Sequence, residues 1–281
     1  MTVVALWYRE HENKLKCAAD TRFSRGRDEK LTITTDSGPK IFAVPVICRE
    51  ERANPLGWPV THSHSFGFAY SGAVVPALSA FALASACTQS LTCAPGKSRP
   101  VSIESVGKLF RTVALHCIAD ASSRLGQLDD LRTHFFAGLI FGYCPVRLEY
   151  TAYKFEPSLD SNSLTVTMEH LPIGPNFLYV MGSGAKEFLA AGEKRKETTG
   201  FYEPIKVLKT MLGEETRQDV GGYIQFGESG VGDFRILPVI EPNDSNSAEW
   251  PVTFLGWDFT GADEVSGYKI GYNAVAFDEN D

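Results

Sequence analysis

From Phe66 to Ala86 the chain carries no charged side chain. About twenty such residues are enough to cross a bilayer, so whatever the chain folds into must bury this stretch. It is mostly Ala, Ser and Gly with Pro76 inside it, whereas favourable transfer into lipid comes chiefly from Leu, Ile, Phe and Val. The segment therefore reads as the interior of a globular protein, with no membrane partner. Phe66 to Tyr70 is expected as a buried strand, Ser71 and Gly72 as a turn, and Ala73 to Thr88 as a buried helix.

The flanking sequence supplies the layers that would bury it. Thr2 to Tyr8 and Lys14 to Thr21 are β-forming runs around the turn Arg9 to Asn13, and predict a hairpin. Lys30 to Thr35 and Lys40 to Ile47, separated by Asp36 to Pro39, predict a second hairpin. Arg49 to Ser65 is polar and punctuated by proline, and reads as a long surface loop. Leu91 to Pro100 reads as a shorter one. Val106, Leu109, Phe110, Val113, Leu115 and Ile118 recur at helical spacing, predicting a helix over 101–125. Strands are then expected at 135–144, 146–155, 163–169 and 177–181, helices at 185–192 and 202–212, and strands at 221–226 and 234–239. Several of these strands are near-continuous apolar runs, the pattern of sheets covered on both faces. The order predicts an α+β layered sandwich over 1–240 with helices outside. Residues 241–281 are polar yet hold Trp250, Phe254, Trp257, Phe259, Tyr268 and Tyr272, too many aromatics for a disordered tail. They predict a strand-rich appendage packed on the sandwich.

Composition narrows the function classes. With 281 residues and a formal charge of −7, no face is rich enough in Lys and Arg to follow a nucleic acid, so no nucleic-acid partner is expected. Six cysteines lie scattered in apolar stretches without metal spacing, as expected of buried reduced thiols. The N-terminus becomes charged within a few residues of Met1, unlike a secretory peptide, and a cytoplasmic location is expected. His62 and His64 lack a third ligand nearby and read as solvated loop residues. His116 and Cys117 read as lying on a core helix. The run Gly227 to Gly232 (GESGVG) lacks the Lys-Ser/Thr of a phosphate loop and reads as a turn. No metal or cofactor is expected.

Five collinear segments, covering about 190 residues, point further. They are Thr2 to Ala5 (TVVA), Cys17 to Arg22 (CAADTR), Lys40 to Phe42 (KIF), Phe66 to Ala73 (FGFAYSGA) and Met181 to Gly184 (MGSG). Together they resemble the proteasome β-subunit family and its bacterial relatives, which are N-terminal-nucleophile hydrolases: its opening strand, AADxR signature, strand-entry lysine, small-residue turn before the first helix, and GSG motif. The resemblance implies a four-layer αββα sandwich and a threonine-type peptidase or amidohydrolase acting on peptide or amide substrates. It also implies a ring-shaped homo-oligomer, with an unfoldase partner left open. The nucleophile would be Thr2, exposed when Met1 is removed. A threonine hydroxyl must give up its proton to a nearby base, here the α-amine on the same residue. By the same resemblance Lys40 would keep that amine neutral, Asp20 would pair with Lys40, and Ser183 would orient the amine or a water. The backbone amide of Ser71 would form the oxyanion hole, Ala69 and Ala73 would line the substrate pocket, and Asp219 would lend polar support.

Three places depart from the family pattern. Counted back from Ala5, Met1 falls in the nucleophile's position and Thr2 reaches it only with a one-residue shift, which in a strand exchanges the faces. Ser71 replaces a glycine. The late Asp and Ser of the family reduce to Asp219 before Gly221 and Gly222. A catalytically degenerate subunit with a structural or partner-binding role is the alternative.

Overall fold

Residues Val3 to Trp7 are apolar, so neither side of this segment is claimed by solvent and it forms a strand buried on both faces. In this computed structural model, which describes residues 2–26, 31–53, 57–124, 131–160, 163–199, 202–214, 217–240, 251–259, 264–270 and 273–277, it becomes β1 (Val4–Arg9). The chain turns over Glu10–Glu12 and Asn13, whose φ of 49° is a left-handed conformation that Asn adopts readily, and returns as β2 (Lys14–Asp20). There follow β3 (Phe23–Arg25), β4 (Thr32–Thr35), β5 (Ile41–Glu50), β6 (Val60–Gly72), α1 (Val74–Thr88), β7 (Leu91–Cys93) and α2 (Ile103–Arg124). Four strands come next: β8 (Phe136–Cys144), β9 (Glu149–Asp160), β10 (Ser163–Leu171) and β11 (Leu178–Met181). The helices α3 (Ala185–Thr199) and α4 (Pro204–Gly213) lead into β12 (Ile224–Ser229), β13 (Phe234–Leu237) and β14 (Val239–Ile240). The described part of the tail adds β15 (Val252–Phe254), β16 (Trp257–Asp258) and β17 (Val275–Ala276).

The architecture is mixed α+β. One sheet runs β11-β1-β2-β12-β13 and another β10-β9-β8-β6-β5-β7. Alternation along β1 divides its side chains between two cores. Val4 and Leu6 meet Ile41, Ala69, Leu139 and Phe141 between the sheets, while Val3, Ala5 and Trp7 pack with Phe188, Leu208 and Met211 of α3 and α4. On the far face of the six-stranded sheet, Phe68 and Tyr70 join Ala77, Ala80, Phe110 and Val113 of α1 and α2. Phe68 lies 5.0 Å from Phe110 and Phe42 lies 4.3 Å from Phe81, centroid to centroid; each buried ring contributes about 1.5–3 kcal/mol. The uncharged segment thus supplies both the middle strand β6 and the helix that covers it. No helix among the described residues is long and apolar enough to cross a membrane.

Several local expectations are corrected. Thr32–Thr35 pairs with Phe23–Arg25, and β5 pairs with β6 and β7, so the second hairpin does not form. Pro39 has no N–H to offer, and the Lys40 amide is taken by the Gln225 side chain at 2.8 Å. Both ends of 49–65 are strand: Arg49 and Glu50 end β5, and Val60 with the polar residues up to Ser65 pairs with β5, while the β8 pairing of the same strand begins only at Gly67. His62 and His64 therefore sit in β6. His116 is exposed on α2, and of the cysteines only Cys17, Cys48 and Cys144 are buried. β14 forms a sheet with the tail strands β15, β16 and β17. Phe277 packs 5.2 Å from Phe226 of the main sheet. Met1, Trp250 and Tyr272 lie outside the described residues.

Candidate functional site

The β1–β2 register, Val4 opposite Ala19, brings Asp20 beside the start of the chain. The Asp20 amide donates to the Val3 carbonyl at 3.3 Å, and the Val3 amide donates to Asp20 Oδ1 at 2.9 Å. Asp20 is wholly buried, so its charge needs compensation. Lys40, the residue before β5, supplies it: its Nζ lies 2.8 Å from the same Oδ1, and the side chain is 1% exposed. Oδ2 accepts from the amides of Arg22 at 3.2 Å and Gly221 at 3.3 Å, which fills the carboxylate's remaining capacity. Burial pushes the Lys40 pKa down and the Asp20 carboxylate opposes that push; the net result lies below the ordinary lysine value.

A second chain of contacts reaches Thr2 from the other side. The Thr2 nitrogen donates to Ser183 Oγ at 3.3 Å, and Ser183 Oγ donates to Asp219 Oδ2 at 2.9 Å. Arg217 grips Asp219 with Nε at 2.8 Å and Nη2 at 3.0 Å, and reaches Glu187 Oε1 with Nη1 at 2.7 Å. Burial works against ionisation of Asp219, yet the hydrogen bonds from Arg217 and Ser183 outweigh it and hold the carboxyl below its usual range. Gly184 N donates to the Thr2 carbonyl at 3.3 Å. Gly182, at φ +103°, cannot carry a side chain, because a Cβ there would fall on the Thr2 carbonyl oxygen. The MGSG segment therefore holds Thr2 through both its nitrogen and its carbonyl.

The small-residue turn ends β6. Tyr70 N donates to the Lys40 carbonyl at 3.2 Å, and Ala73 N to the Phe135 carbonyl at 2.9 Å. Amides alternate sides along an antiparallel strand, so the Ser71 amide faces Ala137 of β8, and the Gly72 amide faces the β5 side. Because β5 begins at Ile41, no strand residue lies opposite Gly72 there. Gly72 has φ +112°, and a Cβ would come 2.6 Å from the Phe135 carbonyl oxygen, so only glycine fits. Ala73 is partly exposed at the entry to α1, whereas Ala69 is fully buried between the sheets.

Thr2, Ser183 and Asp219 are therefore joined through hydrogen bonds, Lys40 and Asp20 meet them at the Val3 amide, and the β1–β11 register, Val4 opposite Met181, brings Thr2 against Ser183. Sequence reading missed three contributors. Gln225 bridges the cluster: its Oε1 accepts from Lys40 N at 2.8 Å and Ile41 N at 3.2 Å, and its Nε2 donates to the Gly38 carbonyl at 2.8 Å and the Asp20 carbonyl at 3.1 Å. A lone amide between Ile224 and Phe226 was its signal. Arg217, two residues before Asp219, and Gly72, next to Ser71, are the others. Among the described residues no group of His, Cys, Asp and Glu is arranged to hold a metal.

No protein-family model matches the sequence, and no curated protein matches it. Among solved structures, Anbu (ancestral beta-subunit) from Yersinia bercovieri matches 81% of this chain and 81% of its own, with 10% sequence identity and a TM-score of 0.47.

Proposed function

We propose that this chain is a proteasome β-type N-terminal-nucleophile hydrolase, a four-layer αββα sandwich that cleaves peptide or amide bonds through Thr2 once the Met1–Thr2 bond has been cut. The carrying observation is that Asp20 Oδ1 accepts from both Lys40 Nζ and the Val3 amide. The ammonium is thus no farther from the first peptide group after Thr2 than those two bonds laid end to end. In this reading the free α-amine of Thr2 takes the proton of its own hydroxyl, and Oγ attacks the substrate carbonyl. The Gly72 amide faces the developing oxyanion. Collapse breaks the C–N bond, the leaving amine takes the proton from the α-ammonium, and an ester on Thr2 remains. Water, deprotonated by the same amine, hydrolyses that ester and restores the hydroxyl. Lys40 keeps the amine neutral, while Ser183, backed by Asp219 and Arg217, holds it in place. A ring-shaped homo-oligomer follows from the family resemblance.

The test combines intact mass and the N-terminal residue of the purified protein with a peptide epoxyketone or β-lactone. An adduct on a chain beginning at Thr2, lost in Thr2→Ala and in Lys40→Ala, supports the proposal; retention of Met1 with no adduct sinks it. One observation favours the second reading, a silent structural subunit. The Ser71 amide, the donor expected from the motif, faces β8. A folded oligomer inert to the probe would select that reading.

A further inference from the structure

The tail strands β15 and β16 are joined by two residues, Leu255 and Gly256, because Phe254 pairs directly with Trp257. Both have positive φ, 53° and 83°, as a two-residue type I′ turn requires. Asn or Gly ordinarily takes the first position of that turn, and a leucine rarely does. Trp257 and Asp258 beside it are exposed, yet Gly256 is buried. What buries it is the main sandwich: a Cβ on Gly256 would fall 2.8 Å from Thr21 Cγ2, 2.9 Å from Thr21 Cβ and 3.1 Å from Ser37 Cα. The turn therefore lies directly on Thr21 and Ser37, with no room for a side chain between them.

Thr21 joins the two segments that carry the buried ion pair. It follows Asp20, it is 0% exposed, and all of its polar groups are engaged. Its amide donates to the Gly221 carbonyl at 3.2 Å, and its carbonyl accepts from Gly38 N at 2.8 Å. Its hydroxyl donates to the Asp36 carbonyl and accepts from Tyr223 N at 2.7 Å. Asp36 to Pro39 is the stretch that leads into Lys40. Thr21 thus ties the end of β2 to the approach to β5, and its methyl group meets Gly256 of the tail. We infer that the tail turn Leu255–Gly256 is a clamp that positions Asp20 and Lys40: seated on Thr21 and Ser37, it holds residues 20–22 and 36–40 together and so fixes the ammonium beside the start of β1. Gly256 is a positioning residue, acting on Thr2 only through that ion pair. The catalytic consequence rests on the proposed hydrolase reading; the clamp itself does not.

The tail contains a matched control. Val265 and Tyr268 bracket a second turn, Ser266–Gly267, with φ of 52° and 84°, and no described atom beyond its chain neighbours lies within 4 Å of a Cβ on Gly267. Gly256→Ala and Gly267→Ala in the full chain impose the same backbone strain on the same kind of turn, but only the first presses on Thr21. The readout is hydrogen exchange of the Lys40 and Ile41 amides, both held by Gln225 Oε1. Exchange there should quicken about tenfold in Gly256→Ala and match the parent in Gly267→Ala. Thr21→Ser, which keeps the hydroxyl and drops the methyl, should act in the same direction. In a chain beginning at Thr2, a displaced ammonium no longer keeps the α-amine neutral. The rising limb of the epoxyketone rate against pH should then move up by about one unit in Gly256→Ala and stay in place in Gly267→Ala. Equal exchange in the two alanine variants overturns the clamp, and so does a pH limb that shifts equally in both. A parent chain inert to the epoxyketone defeats the hydrolase reading instead, and the exchange rates then decide the clamp alone.

Discussion

Lys40 Nζ sits 2.8 Å from Asp20 Oδ1 with neither side chain more than 1% exposed, and the same oxygen holds the amide that follows Thr2. Charge compensation in the interior and placement of the chain's start are thus one interaction. Removing one member leaves the other charged and buried. Lys40→Ala and Asp20→Ala should each cost about 3–5 kcal/mol in denaturant unfolding. The double variant Asp20→Asn/Lys40→Met should cost clearly less than the sum of its two singles; strict additivity would contradict a direct pair.

Asp219 gives a pH signature. Its folded-state pKa lies below the ordinary 3.8, so between the two values the unfolded chain binds more protons. The contribution is fully present above the ordinary value and is lost as the pH falls through the folded one. Acid titration of stability should show this loss in the parent chain and a flatter profile in Asp219→Asn. Equal slopes would mean that Arg217 and Ser183 do not favour the ionised form.

Gly72 carries both a backbone and a chemical prediction. Gly72→Ala forces a side chain into a positive-φ position and against the Phe135 carbonyl, at a cost of about 1–3 kcal/mol. In the hydrolase reading it should also slow adduct formation on Thr2 far more than Ser71→Ala, whose amide faces β8. Comparable rates for the two variants would remove Gly72 from the oxyanion role.

Gln225 is the fourth point. Gln225→Leu strands two amides and two carbonyls at the base of the cluster, each worth about 1–3 kcal/mol when buried and unpaired. A clear fall in melting temperature is expected, together with loosened Lys40 amide protection in hydrogen exchange. Unchanged protection there would show that the bridge does not organise β5.

Much of the element order was legible because burial leaves a local trace. The uncharged run at 66–86 became β6 and α1, and the apolar periodicity of 103–124 became α2. Elsewhere the local trace misled. The polar residues 61–65 have the pattern of a surface loop, yet they are strand, because pairing with β5 requires backbone groups and not apolar side chains. Ala69, a pocket-lining residue by the family resemblance, is fully buried on the face of β6 that looks into the space between the sheets, a placement no local pattern reports.

By itself, the sequence determined which segments must be buried and which polar residues are available to a site: Thr2, Asp20, Lys40, Ser183 and Asp219. Only the tertiary structure decided that Thr2 meets Ser183, that the Ser71 amide faces β8 while the Gly72 amide faces the β5 side, and that Arg217 and Gln225 brace the cluster. The reason is physical. Side-chain periodicity reports only how a residue's own element is buried, whereas strand register and buried ion pairs are set by partners tens to hundreds of residues away, where a shift of one position exchanges every face.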